Sequence, residues 1–479
     1  SDAAVSQYDK DDVEAIGLVK FDFLGLATLT ILELAKEFIV SRRPERADFQ
    51  YETLPLDDAR VYKLFAEGLT EAVFQFESRG MQAMLRDAKP TRLEDLIALN
   101  AMFRPGPMEN IPSFCARKHG KEPITYPHKL LEKVLSETYG IFVYQEQVMQ
   151  AAQFMGGYSL GGADLLRRAM GKKKPEEMAQ HREIFRKGAA EKGIDEAKAD
   201  EVFDQMETFA GYGFNKSHAA AYSLLAYHTA WLKVHCTAEF FAANMTIELD
   251  DTDKLKVLRL DAIQNFGIDF DPPDINQGTW RFEPAPGREG DRRIRYGLSA
   301  VKGTGRGAIE AIVAARDGTG AHEGQGAAPF KSLFDFAARV DRSKVNKRVV
   351  EALIKAGAFD KMEPNRAALL ASVAAFGAAI MVFGWSRWFW LTRERYALSA
   401  FVTRLLNHID GAHGQESGDP LWATEDTRLA WAGTAFDTLE AAHFEQLAQL
   451  DVGDLDDRPA GGDDVARAGL VGGGGGAGT

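Results

Sequence analysis

Between Leu165 and Met178 the chain reads LLRRAMGKKKPEEM, which sets Arg167, Arg168, Lys172, Lys173 and Lys174 within eight positions. So dense a cluster of donors suits a ligand carrying several negative charges, a polyphosphate above all. Gly171 lets the backbone come close to such a ligand, and Pro175, Glu176 and Glu177 read as the first turn of a new helix, where acids complement the positive end of the dipole. A solvated basic loop is the competing reading of a charge run by itself. Further along stands FAGYGFNKSHAAAY, Phe209 to Tyr222. Gly211-Tyr212-Gly213 is a turn, and the apolar run after it predicts a helix opening at Ser217, whose first N–H groups, with Lys216, face a phosphate. His218 and Tyr222, four apart, share one helix face and would meet a sugar and a base. Two plainer roles stand beside these, His218 as a helix cap and Tyr222 as a core residue. Asn215, Lys216 and Ser217 already offer enough groups to cap the helix, which favours the sugar role for His218.

The elements that must position these residues are helical. From Thr28 to about Asp250, long amphipathic stretches such as TILELAKEFIVSRR and SLLAYHTAWLKVHCTAEFFAANM alternate with Gly/Pro loops. Arg79-Gly80 and Arg104-Pro105-Gly106-Pro107 fall at loop junctions, where each arginine either reaches phosphate or template or makes a structural ion pair; Glu146 is a candidate partner for these cations. Near the start, AIGLVKFDFLGL (Ala15 to Leu26) sets Lys20 and Asp22 two apart, on one face of an expected strand. A lone carboxylate in an apolar strand needs a cation or donors, so a metal site is one solution.

LLRRAMGKKKPEEM and FAGYGFNKSHAAAY, together with GLVKFDFLGL, AVFQFESRGM, ALNAMFRPGP and YGIFVYQEQVMQ, resemble in sequence and order the bacterial replicative DNA polymerase III alpha subunits, the family C polymerases. The likeness runs from about Ser1 to about Ala375. It implies an α+β, mostly α-helical chain: the end of a polymerase palm at 1–27, helical fingers at 28–270, and a connector with a helix-hairpin-helix DNA-binding region at 271–375. It also implies a nucleotide-binding role for Arg167, Arg168, Lys172, Asn215, Lys216, Ser217, His218 and Tyr222, and DNA contacts from Arg79 and Arg104. By the same likeness Asp22 is the third of three carboxylates that hold two magnesium ions, with Lys20 facing that site. An Asp-x-Asp pair is expected upstream of this sequence. Asp269-Phe270-Asp271 has the spacing but precedes Pro272-Pro273 in the connector, and is set aside. The segment YGLSAVKGTGRGAIEAIVAAR resembles a helix-hairpin-helix, in which the N–H groups of the Gly303-Thr304-Gly305 hairpin meet a DNA phosphate beside Lys302 and Arg306. The rival, a dinucleotide-binding glycine loop, lacks a preceding buried strand and a following ribose-binding acid. A second, weaker hairpin unit spans Lys344 to Phe359, and Asp317 to Ala328 reads as a Gly-rich surface loop. The implied ligands are primer-template DNA, deoxynucleoside triphosphates and magnesium, with a sliding clamp and other replicase subunits as partners of an intact polymerase. Taken alone, the chain is expected to be a fragment without polymerase activity; the alternative is a non-catalytic DNA- and nucleotide-binding module.

A length of 479 residues allows two to four domains. Two cysteines, Cys115 and Cys236, give neither a disulfide framework nor zinc-ligand spacing, and with no signal peptide at the start they point to the cytoplasm. The net charge of −13 is unevenly spread: from Gly377 onward stand 7 Arg, no Lys and 15 Asp plus Glu, which leaves −5 for everything before. Basic clusters there still track phosphate, because screening limits distant acids to about 8–10 Å. Residues 376–479 match nothing in the family and read as a divergent tail, disordered or out of frame. Its apolar start, FGAAIMVFGWSRWFWL, is interrupted by Arg387 and is shorter than the ~20 residues that span a bilayer, so no membrane role is expected.

Overall fold

The computed structural model describes residues 6–19, 21, 25–172, 175–210, 212–286, 292–322 and 326–373. Lys20, Asp22, Lys173, Lys174, Gly211 and the divergent tail lie outside the described residues, and of the strand expected from Ala15 to Leu26 the described residues (15–19, 21, 25 and 26) form none: a helix ends at Ala15 and a turn follows. The remainder is mostly helical with one small sheet. It forms two units, one of residues up to Phe330 with Val340–Pro364, the other of Lys331–Arg339 and residues from Asn365 on.

In the larger unit the apolar stripes close two cores. The first gathers the helices Ala27–Arg42, Ala59–Glu67, Arg79–Ala88, Leu93–Met102, Lys216–His235, Thr237–Ile247 and Thr252–Phe266 around side chains such as Phe65, Phe76, Tyr227, Phe240 and Phe241. The second is built by Gln145–Gly156, Leu160–Lys172, Pro175–Glu191 and Glu196–Ala210 around Leu166, Phe185, Phe203 and Met206. As expected, a helix opens at Pro175 with Glu176 and Glu177 in its first turn. Two of these helices cross at backbone contact: a Cβ on Gly188 would stand 1.9 Å from the Gly156 carbonyl oxygen, so only glycine fits there.

The Lys216–His235 helix is the axis of the first core. Its second half is buried continuously from Ala226 to Lys233, His228, Thr229 and Lys233 included, whereas Ser217, His218 and Ala221 at its start are exposed. The buried end carries a cation. Lys233 is 0% exposed, with Nζ 2.7 Å from Asp261 Oδ2, donating to the carbonyls of Leu69 (2.9 Å) and Glu71 (2.6 Å), and lying 5.0 Å from the Phe266 ring centroid. Burial pulls its ammonium pKa down against the upward pull of Asp261. Those two carbonyls flank a turn in which Ala72 (φ 56°) and Gln75 (φ 65°) adopt left-handed backbone, a conformation other contacts must hold in place. Phe74 N–H donates to Thr229 Oγ1 (3.2 Å), so the same helix holds this turn through both Lys233 and Thr229, while Thr70 Oγ1 closes it internally onto Phe76 O (2.7 Å).

Asp269–Asp271 forms β1, parallel to β3 (Arg293–Arg295), while β2 (Glu283–Pro284) pairs with β3 antiparallel, giving the order β1-β3-β2. A 3-10 turn at Leu298–Ala300, the hairpin, and the helix Arg306–Asp317 follow; the larger unit also carries the helix Lys347–Ala356, capped by Asn346 and ended by Gly357 at φ 87°. In the smaller unit the helix Leu333–Arg339 starts at Ser332, whose Oγ accepts from Asp335 N–H at 3.1 Å. Among the described residues no helix is long and apolar enough to cross a membrane.

Candidate nucleic-acid interface

Three of the sequence motifs meet at the exposed start of the Lys216–His235 helix. Tyr144 and Phe214 form a parallel bridge, in which Gln145 N–H donates to Phe214 O at 2.9 Å and Phe214 N–H to Val143 O at 3.3 Å. Gln145 joins the third motif: its Nε2 donates to Gly213 O (3.0 Å) and its Oε1 accepts from Arg167 Nη1 (3.3 Å). The helix opens at Lys216, one residue before the expected Ser217, because Asn215 is the cap, its Oδ1 accepting from His218 N–H at 2.8 Å. His218 therefore does not cap. Its ring lies 4.2 Å from Tyr222 and 5.5 Å from Phe214, on an exposed face. Tyr222 is half-buried and reaches Phe74 at 5.2 Å.

Glu146 does not pair with Arg79 or Arg104. It accepts from Asn215 Nδ2 (3.0 Å) and from Lys216 N–H (2.9 Å), so a carboxylate already sits at the positive end of the helix. Lys216 Nζ is 2.7 Å from Glu137 Oε2. Arg167 and Arg168 lie on the Leu160–Lys172 helix one turn after Asp164, which takes both: Arg167 Nη2 at 2.8 Å and Arg168 Nε at 2.9 Å. Hydrogen bonding from Arg167 is the chief reason the Asp164 carboxyl titrates below the usual range. Arg168 remains 64% exposed at its side chain, open to a further anion. Lys172 is the last residue of that helix.

Arg104 braces the loop before this helix. Its Nε donates to Ala101 O at 2.9 Å, its Nη2 donates to Tyr212 O, and its guanidinium lies 4.7 Å over the Phe214 ring. No carboxylate among the described residues stands within ion-pair distance, so the structural ion pair considered for it is absent and backbone carbonyls take its place. Burial lowers its pKa. Gly106, at φ 98°, is where the chain passes the Tyr212 ring, which a Cβ would meet at 2.8 Å. Arg79 is exposed in the first turn of the Arg79–Ala88 helix, which Ser78 caps.

In the hairpin, Thr304 is buried and its Oγ1 donates to Leu298 O (2.7 Å) and Val301 O (2.6 Å), while Gly303 turns the chain at φ 95°. Gly305 caps the start of the Arg306–Asp317 helix, and a Cβ on Gly305 or Gly307 would meet nothing within 4 Å, so this end of the helix is open on those sides. Lys302 is exposed. Arg306 is engaged, 3.9 Å over the Trp280 ring and 2.7 Å from Glu310 Oε1. A short strand does precede this glycine loop, contrary to expectation, and its Ile294 is buried. The Leu298–Ala300 turn separates it from the glycines, so it does not feed a phosphate loop directly.

The expected metal ligand, Asp22, falls outside the described residues. Among the described ones no three His, Cys, Asp or Glu side chains stand together to hold a metal ion, and Asp271 of the Asp269-Asp271 pair faces Arg293 at 3.7 Å. These residues do not compose a magnesium site.

A family profile described as the bacterial DNA polymerase III alpha subunit finger domain matches residues 28–193, and a helix-hairpin-helix motif profile matches residues 267–369. The chain is 57% identical over 373 residues to the DNA polymerase III subunit alpha of Neisseria meningitidis serogroup A, covering 78% of this chain and 31% of that protein. It is 55% identical over 370 residues to that of Xylella fastidiosa (76% and 30%), and 50% identical over 378 residues to that of Escherichia coli (77% and 32%). It thus spans about a third of the length of these relatives. With fingers and hairpin region matched in order, the chain belongs to the DNA polymerase III alpha subunit family, of which it matches the finger domain and the helix-hairpin-helix region.

Proposed function

We propose that this chain supplies the nucleotide- and DNA-contacting part of a replicative DNA polymerase, holding the deoxynucleoside triphosphate between Arg167 and Arg168 on one side and the start of the Lys216–His235 helix on the other. The observation that carries this reading is the Gln145 link, which ties Arg167 to Gly213 beside the open helix end. Asp164, Glu146 and Glu137 hold the cations apart until a triphosphate competes for them. Lys302 and the amides around Gly303 and Gly305 contact a phosphate of the primer-template duplex, with Arg306 steadied by Trp280, and Arg79 and Arg104 lie toward the same nucleic acid. Asp22, and with it Lys20, would serve the magnesium site of an intact polymerase, Asp22 giving one carboxylate, and the metal when bound would supply activation of the primer hydroxyl and charge stabilisation at phosphorus. The sliding clamp and other replicase subunits are partners of that intact protein. A second reading is that, as a separate polypeptide, the chain binds nucleotide and DNA without extending a primer.

His218 gives the test. Asn215 does the capping, so His218 is free to stand against the sugar and exclude a 2′-hydroxyl. In a chimaera where the similar segment of this chain replaces its counterpart in the Neisseria relative, His218→Ala is expected to raise ribonucleotide relative to deoxynucleotide incorporation by roughly 10- to 100-fold, the range typical of a small steric difference in a pocket. An unchanged ratio removes His218 from the sugar site.

A further inference from the structure

We propose that the cleft beside this site receives a single unpaired nucleobase. The inference rests on the nucleic-acid reading above and extends it to a separate subsite. The cleft has a volume of about 500 Å³ and lies among the turn that holds Phe74 and Gln75, the end of the Leu93–Met102 helix, and Phe214. Phe74, Phe103 and Phe214 line it half-buried, three apolar side chains that each present part of their surface to the cleft. Phe74 continues through Tyr222 (5.2 Å), His218 (4.2 Å) and Phe214 (5.5 Å) to the Arg104 guanidinium (4.7 Å), so a continuous row of rings joins two of its lining residues, Phe74 and Phe214. Phe103 keeps its place because residue 80 is glycine, where a Cβ would stand 2.8 Å from its ring.

The polar groups select the ligand. Arg104 uses Nε and Nη2 on carbonyls, and Nη1 has no acceptor among the described residues, which leaves a donor for a base carbonyl or ring nitrogen. Asn100 gives Nδ2 to Ser223 Oγ at 3.4 Å and keeps its carbonyl oxygen as an acceptor. Glu77 lines the same cleft and disfavours a phosphate there, while accepting from an exocyclic amino group. Flat apolar faces with one donor and two acceptors at the rim suit a neutral heteroaromatic ring with mixed edges. The left-handed backbone at Ala72 and Gln75 sets Phe74 and Gln75 into the cleft wall, a strained conformation held by Lys233 and Thr229.

The test titrates the full chain with a short oligothymidylate carrying one 2-aminopurine, with the same strand made abasic at that position, and with the free 2-aminopurine deoxynucleoside triphosphate. Stacking is expected to quench 2-aminopurine emission, and the abasic strand to bind roughly 5- to 150-fold more weakly, the effect of losing one stacked base. Phe74→Leu keeps the apolar volume and should remove most of the quenching with the thermal melt unchanged; quenching in the strand rather than in the free triphosphate assigns the base to the template, and the reverse to the incoming nucleotide. Equal affinity of intact and abasic strands without quenching in either probe overturns the cleft proposal while strand binding leaves the polymerase reading standing. Loss of all strand and nucleotide binding overturns both.

Discussion

Replacing Lys233 by methionine is expected to lower the unfolding free energy of the chain by about 3–5 kcal/mol, the usual result of removing one partner from a buried ion pair. The ammonium is wholly enclosed, and without it the Asp261 carboxylate keeps only Asn265 Nδ2, at 2.7 Å, while the carbonyls of Leu69 and Glu71 lose their donor. Those carbonyls fix the turn that shows Phe74 to the cleft, so chemical denaturation should report the lost stability and proteolysis should cut first between Leu69 and Phe76. The double variant Lys233→Met with Asp261→Leu should recover much of the loss, because it removes the stranded charge as well. A single variant within 1 kcal/mol of the parent in denaturant midpoint analysis would mean that the lysine does not anchor this turn.

The largest functional effect is expected at Asp22. In the chimaera with the Neisseria relative, Asp22→Asn should reduce magnesium-dependent primer extension to background while primer-template affinity stays within about twofold, since the amide keeps the shape of the carboxylate and loses its charge. Extension at the parental rate would show that Asp22 is not a ligand of the reacting site.

How much of this was legible in the sequence follows from how local each interaction is. The helices came from periodicity, and the Pro175 start came from proline and acids at the expected end. Asn215 is a strong cap type, yet the opening was placed one residue late because Ser217 is one too, and local sequence does not choose between them. Asp164 is a partner that the sequence does announce, by its spacing of three and four from Arg167 and Arg168, although it lies just outside the dense run of positive charges. Glu146 meeting Asn215 and Lys216, or Gln145 meeting Gly213, joins segments some 70 residues apart, and only the fold brings them together. Lys233 stands in the last turn of a helix, where a basic residue is favourable at the surface, and nothing local says that three phenylalanine rings and Asp261 enclose it. The strands of the sheet are two or three residues long, too short for an alternating pattern.

The central claim is that Arg167 and Arg168 hold the triphosphate, and the most direct measurement is the nucleotide KM and the primer-template Kd of the chimaera with and without each arginine. Arg167→Ala and Arg168→Ala should each weaken nucleotide use by about 1.5–3 kcal/mol, the value of a charge-assisted hydrogen bond, with primer-template affinity nearly unchanged. Unchanged nucleotide KM and turnover in both variants would contradict the account and leave the two arginines as partners of Asp164 alone.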